Sequence, residues 1–122
     1  MSSRPSRPLL LFVAGALGAA ACAGRPEERG RQLYADHGCA VCHGSAGRGD
    51  GPSAKRLYTP PRDFADARSY RQGSNLDDIA ASIRKGAGGA MPAFRDLSES
   101  EARDMAAWIV SLQRDPRAAG QP

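Results

Sequence analysis

Apolar residues recur at helical spacing in three stretches of the chain, and nowhere do they alternate in the manner of a strand. Gly30, Leu33, Tyr34 and His37 stand at i, i+3, i+4 and i+7, one face of a first helix. Pro26 suits its first turn, Glu27 and Glu28 suit the positive end of its dipole, and Gly38 can end it. Leu76, Ile79, Ala80 and Ile83 make a second face, with Ser74 as cap, Asp77 three positions on, Arg84 and Lys85 late, and Gly86 as the stop. Ser98 and Glu101 form a capping box for a third helix reaching about Gln113, whose stripe is Met105, Trp108, Ile109 and Leu112, with Arg103, Asp104 and Ser111 facing away. Between the first two helices, residues 44–74 are rich in Gly, Pro and polar side chains, which predicts irregular chain with a turn or two of helix around Ser53 to Leu57. The expected fold class is all-α, three main helices joined by irregular loops, with no internal repeat.

The start of the chain follows another pattern. Arg4 and Arg7 precede "LLLFVAGALGAAA", an apolar run too short to span a bilayer as a mature helix and ending in small residues. Residues 1–21 are read as a secretory signal, 22–27 as a tether, 28–114 as one domain and 115–122 as a disordered tail. Export places the protein outside a bacterial cytoplasm, in the periplasm, where cysteines form disulfides or serve a cofactor. Cutting before Cys22 resembles lipoprotein processing, with Ala19 standing where that pattern usually has Leu; ordinary cleavage beside it is the alternative. An odd third cysteine left free in an oxidising compartment is a liability that lipidation of Cys22 removes.

Composition narrows the picture. At 122 residues the chain has room for one small domain. Its 14 Gly and 9 Pro demand much loop, and 6% aromatic content makes a thin core that a bound apolar cofactor would help to fill. Loss of Arg4 and Arg7 with the signal leaves 15 basic against 13 acidic residues, too mild a balance for a nucleic-acid partner.

The chemistry is concentrated in "HGCAVCHG", residues 37–44. Cys-x-x-Cys-His is the attachment signature of c-type haem: thiols three apart on a helical turn straddle one macrocycle edge, and the next residue presents its imidazole to the iron. Rivals fit less well. A zinc site lacks further ligands, and adjacent Cys42 and His43 would strain to share one tetrahedral ion. A redox dithiol expects alternating strands and helices, and a bare disulfide leaves His43 unexplained. Opposite His43, a methionine would complete the iron and raise its reduction potential. Met105 belongs to a helical stripe and reads as core, whereas Met91 follows "GAGGA" and precedes Pro92, on a loop able to bend around a flat group. His37 reads as a surface or packing histidine.

With these motifs in order, "GRQLYADHGCAVCHG", "GRGDGP", "GGAMPAF" and "SESEARDMAAWIVSLQ", the chain resembles the class I c-type cytochromes over about Glu28 to Gln113. The resemblance implies a cytochrome c fold around one covalent haem c. It implies Cys39 and Cys42 as thioether positions, and His43 and Met91 as axial ligands. Pro52 would then be the proline whose carbonyl accepts the His43 Nδ1 hydrogen, and Gly30 with Trp108 the crossing of first and last helices. Pro52 as a plain turn residue is the other reading. An extra residue between Tyr34 and Cys39 departs from many relatives. "TPPRDF" either lines the haem edge, Arg62 or Tyr58 meeting a propionate, or carries an unpartnered arginine. The expected function is an electron carrier rather than an enzyme, a probable monomer exchanging single electrons with a donor and an acceptor redox protein. The alternative is a haem subunit bound permanently to a larger oxidoreductase.

Overall fold

The computed structural model describes residues 24 to 115; the signal segment 1–21, Cys22 and the tail beyond Asp115 lie outside the described residues. Four helices form: α1 (Pro26–Asp36), the single turn α2 (Ala40–His43), α3 (Leu76–Lys85) and α4 (Glu99–Arg114), with 3₁₀ turns at Ala54–Arg56 and Ala67–Ser69. Among the described residues the only β pairing is an isolated bridge between Gly88 and Met91, so the all-α expectation holds. Pro26 and Glu27 are the first turn of α1 rather than tether.

The two long helices meet where α1 has no side chain. A Cβ built on Gly30 would fall 2.0 Å from the Asp104 carbonyl oxygen and 2.8 Å from Met105 Cα, so the bare glycine lets the two backbones touch. That approach offsets the roughly 1 kcal/mol a glycine costs inside a helix. The first and last helices cross at Gly30 as expected; the nearest atoms it meets are α4 backbone, and the Trp108 indole lies on Tyr34, ring centroids 4.6 Å apart. Asp104, expected to face away, sits on the same seam, where the Arg29 guanidinium donates to both its carboxylate oxygens at 2.7 and 3.0 Å. Periodicity placed Asp104 outside the stripe of its own helix; the crossing helix covers that side.

Beneath the seam α3 packs on α4, burying Ile79, Ala80 and Ile83 together with Met105, Ile109 and Leu112. Its cap is Asn75, whose side-chain oxygen accepts from the Asp78 amide at 2.9 Å, not Ser74. Asn75 directly precedes the first helical residue with an extended backbone, which is the geometry an N-cap requires. Ser74 instead offers its carbonyl to Gln113 of α4. The capping box of α4 forms as expected, with Ser98 and Glu101 each accepting from the other's amide.

Candidate functional site

Local backbone chemistry brings α1 directly into the cysteine motif. Gly38 adopts φ +68°, its amide bonds the Ala35 carbonyl, and the Cys39 amide bonds the Tyr34 carbonyl. This is the paired 5→2 and 6→1 bonding of a Schellman stop, in which glycine removes the Cβ penalty. The next turn, α2, begins at once and puts Cys39, Cys42 and His43 on one short helix.

A turn that short leaves its carbonyls without helical partners. The glycine-rich segment after it supplies them: the amides of Gly49, Gly51 and Ser53 bond the carbonyls of His43, Cys42 and Val41 at 2.8, 3.1 and 2.9 Å. A side chain at 51 would come within 2.5 Å of the Ala40 and Val41 carbonyl oxygens. "GRGDGP" is thus a backbone cap for the cysteine turn, a role that spacing alone did not suggest.

One cavity of about 880 Å³ opens beside this turn, within the range of small-molecule and cofactor sites. Cys39, Cys42 and His43 form one part of its wall, Met91 with Gly88, Gly89 and Phe94 another, and Leu57, Thr59, Pro60, Pro61 and Arg62 a third. The four residues that the motif and the resemblance single out for haem therefore face a common space, though 48 positions of chain separate His43 from Met91. His37 lines the same cavity, its ring edge-on to Phe94 at 6.0 Å, so it packs at the mouth. Met105 is 1% exposed in the core, as its stripe implied.

The donors suit a covalent, neutral-ligand site. Burial pushes the Cys39 thiol up to about 11, with the nearby Cys42 adding to it. A redox dithiol needs the opposite shift, so this environment argues against that rival. Burial also lowers the pKa of His43; the Arg62 backbone pulls the other way and the Arg62 charge adds to the lowering, leaving a neutral imidazole with a lone pair to donate. Among the described residues no group of three or more His, Cys, Asp and Glu side chains gathers to hold a metal ion by itself.

Pro52 does not take the expected part. It sits exposed on its turn, and His43 Nδ1 is buried with no hydrogen-bond partner, so the Pro52 carbonyl is not bonded to the ring. The neighbouring Gly51 and Ser53 amides are committed to capping α2, which holds this turn against the backbone of α2. Of the residues near His43, Phe64 was not legible beforehand, while Arg62, a candidate for the haem edge, lines the cavity. Phe64 stacks on the imidazole, centroids 4.6 Å apart and planes 26° apart, and Arg62 lies against the ring by its backbone while its guanidinium sits 5.6 Å from the Tyr70 ring centroid. Tyr58 is fully exposed beside the cavity. "TPPRDF" carries no periodicity, so nothing in it announced that one of its rings would reach the motif.

Comparisons agree with this arrangement. The family model described as cytochrome C oxidase, cbb3-type, subunit III matches residues 25–109. Cytochrome c-551 of Azotobacter vinelandii is 33% identical over 89 residues, covering 69% of this chain and 98% of that protein. A chain of the reducing HAO-like protein complex of Kuenenia stuttgartiensis superposes with a TM-score of 0.67 at 31% identity; 73% of this chain is covered, and it spans 44% of that longer one. Cytochrome c6 of the diatom Phaeodactylum tricornutum superposes with a TM-score of 0.56 at 23% identity over 74% of this chain and 97% of that one, a likeness of fold. The chain therefore belongs to the class I c-type cytochromes, a family of electron carriers whose cofactor is one covalent haem c.

Proposed function

We propose that this cytochrome shuttles single electrons between redox proteins outside the cytoplasmic membrane, its haem attached through Cys39 and Cys42 and ligated by His43 and Met91. When bound, the haem supplies the Fe(III)/Fe(II) couple. The protein's part is to hold the two thiols three apart on α2, to keep His43 neutral, and to bend the 86–91 loop so that a thioether faces the imidazole across the cavity. Filling both axial positions leaves no open coordination site for substrate, which is why the role is transfer and not catalysis. The single observation that carries this reading is the shared wall of Cys39, Cys42, His43 and Met91. Residues 1–21 act as the export signal in this reading, and Cys22 becomes the lipidated first residue of an anchored protein. No helix among the described residues is long and apolar enough to cross a membrane.

A second reading is a relay subunit held in a larger oxidoreductase. It is favoured by the family model's description and by the Kuenenia chain, which belongs to a protein complex. Mild-detergent purification from the native host separates the two: a stable co-purifying oxidoreductase supports the relay, and a lone monomer supports the carrier.

The ligation is tested by optical spectra of holoprotein in both redox states, with Met91→Ala alongside. The expected result is a weak sulfur-to-iron band in the oxidised protein that disappears in the variant. A spectrum without that band, together with ready binding of carbon monoxide, would overturn His/Met ligation and point to a ligand-binding sensor or peroxidase.

A further inference from the structure

In the segment "PRDF", residues 61–64, Pro61 and Arg62 line the cavity, and Phe64, which has no part in the function described so far, touches the face of the proximal imidazole. A ligating histidine is ordinarily held in orientation by a hydrogen bond from its outer ring nitrogen. Here Nδ1 of His43 is buried and no acceptor meets it with hydrogen-bond geometry; the Arg62 backbone comes near enough to favour the protonated ring but does not fix its plane. What the ring does have is Phe64, nearly parallel at 4.6 Å, an offset-stacked distance.

Phe64 is itself fixed. Its amide donates to the Gly47 carbonyl at 2.8 Å, and its carbonyl accepts from the Tyr70 hydroxyl at 3.1 Å. Tyr34 meets the ring edge-on at 6.1 Å. Gly47 makes room for it: a Cβ there would lie 2.4 Å from Phe64 Cδ2. The two backbone bonds anchor the residue, and turning the phenyl ring would break its edge contact with Tyr34 and press it on the Gly47 backbone.

We propose that Phe64 is the positioning residue of the proximal ligand, setting the plane of the His43 ring in place of the carbonyl bond that the resemblance assigns to Pro52. The inference rests on His43 being an axial ligand. The plane of an axial imidazole determines which iron d orbital shares density with it, and so how unpaired spin spreads over the haem of the oxidised state. Orientation is then readable without any activity assay.

The test is proton NMR of oxidised holoprotein labelled at histidine, of which the chain has two, His37 and His43. A His37→Gln variant assigns the remaining ring signals to His43. If His43 shows no hyperfine shift, the ligation reading fails and the proposal falls with it. Where His43 is shifted, Phe64→Leu is expected to reorder the haem-methyl resonances, while Phe64→Tyr, which keeps a stacked ring, and Pro52→Ala keep the native order. A native pattern in Phe64→Leu, or a reordered one in Pro52→Ala or Phe64→Tyr, would overturn the proposal with the ligation reading intact. Should Phe64→Leu fail to fold, Tyr70→Phe decides with Gln113→Ala as its control, since the hydroxyl it removes meets both the Phe64 carbonyl and the Gln113 side chain: a smaller change in the haem-methyl shifts in Tyr70→Phe alone supports the proposal, and no change, or the same change in the control, overturns it.

Discussion

The α1–α4 seam and the cavity wall opposite α2 are built from the same short chain on opposite terms. At the seam, side chains and backbone complete each other: Gly30 admits the Asp104–Met105 backbone, Tyr34 takes the Trp108 indole, and Arg29 pairs with Asp104. Along the wall, Pro60, Pro61, Gly88 and Gly89 border a space of about 880 Å³ that no side chain fills. A protein interior is close-packed, so the wall is expected to lean on a bound haem where the seam relies on its own side chains. Between them lies the glycine-rich cap, residues 47–53, tied by backbone bonds to α2. Within the irregular stretch 44–74, those bonds give residues 47–53 partners in the protein itself, which the later part has fewer of.

Removing the haem should break the comparison most completely. In Cys39→Ala/Cys42→Ala the covalent haem is lost, and limited proteolysis is expected to cut first within 57–62 and 86–94, while 47–53 and the α1–α4 pair stay protected and helical by circular dichroism. Uniform cleavage along the chain would show that the seam does not stand alone.

Within the seam, Trp108→Ala should lower unfolding free energy by about 3–5 kcal/mol, the usual cost of emptying a large aromatic site. Because the indole N–H makes no hydrogen bond, Trp108→Phe should lose much less; equal losses in urea titration would mean that the indole nitrogen matters after all. Next comes Gly30→Ala, about 1–3 kcal/mol by overpacking against backbone that has little freedom to retreat. A neutral result would place the helices farther apart than the geometry requires. Ser98→Ala removes one half of the α4 capping box, and a fall of about 1 kcal/mol in the thermal or denaturant midpoint is expected. Smallest is Arg29→Ala: its partner Asp104 is mostly covered but the guanidinium is open to solvent, so a slight loss of stability should vanish in high salt. A loss that persists in salt would mean that the arginine stem packs on the seam.

Helix positions were legible because burial of one face imposes a 3.6-residue period, and the stripes through Ile79 and Ile83 and through Met105, Trp108 and Leu112 turned out buried. The cysteine turn was legible because attachment chemistry demands fixed spacing. Where two polar residues competed locally, as Ser74 and Asn75 did for the cap of α3, sequence logic chose wrongly, since one position of register separates them. The α2 turn was read as helical from its cysteine spacing and not from a period, which four residues are too few to show.

By itself the sequence determined that the chain is all-α, that residues 39–43 form the motif now found on the cavity wall, and that Met91 rather than Met105 belongs to the loop side, since period, spacing and Gly/Pro placement are properties of neighbouring residues. Only the tertiary structure decided that Gly30 rests on the Asp104–Met105 backbone, that "GRGDGP" caps α2, and that Phe64 rather than Pro52 lies against His43. Those outcomes depend on which surfaces arrive opposite one another after folding, and no local rule of spacing carries that information.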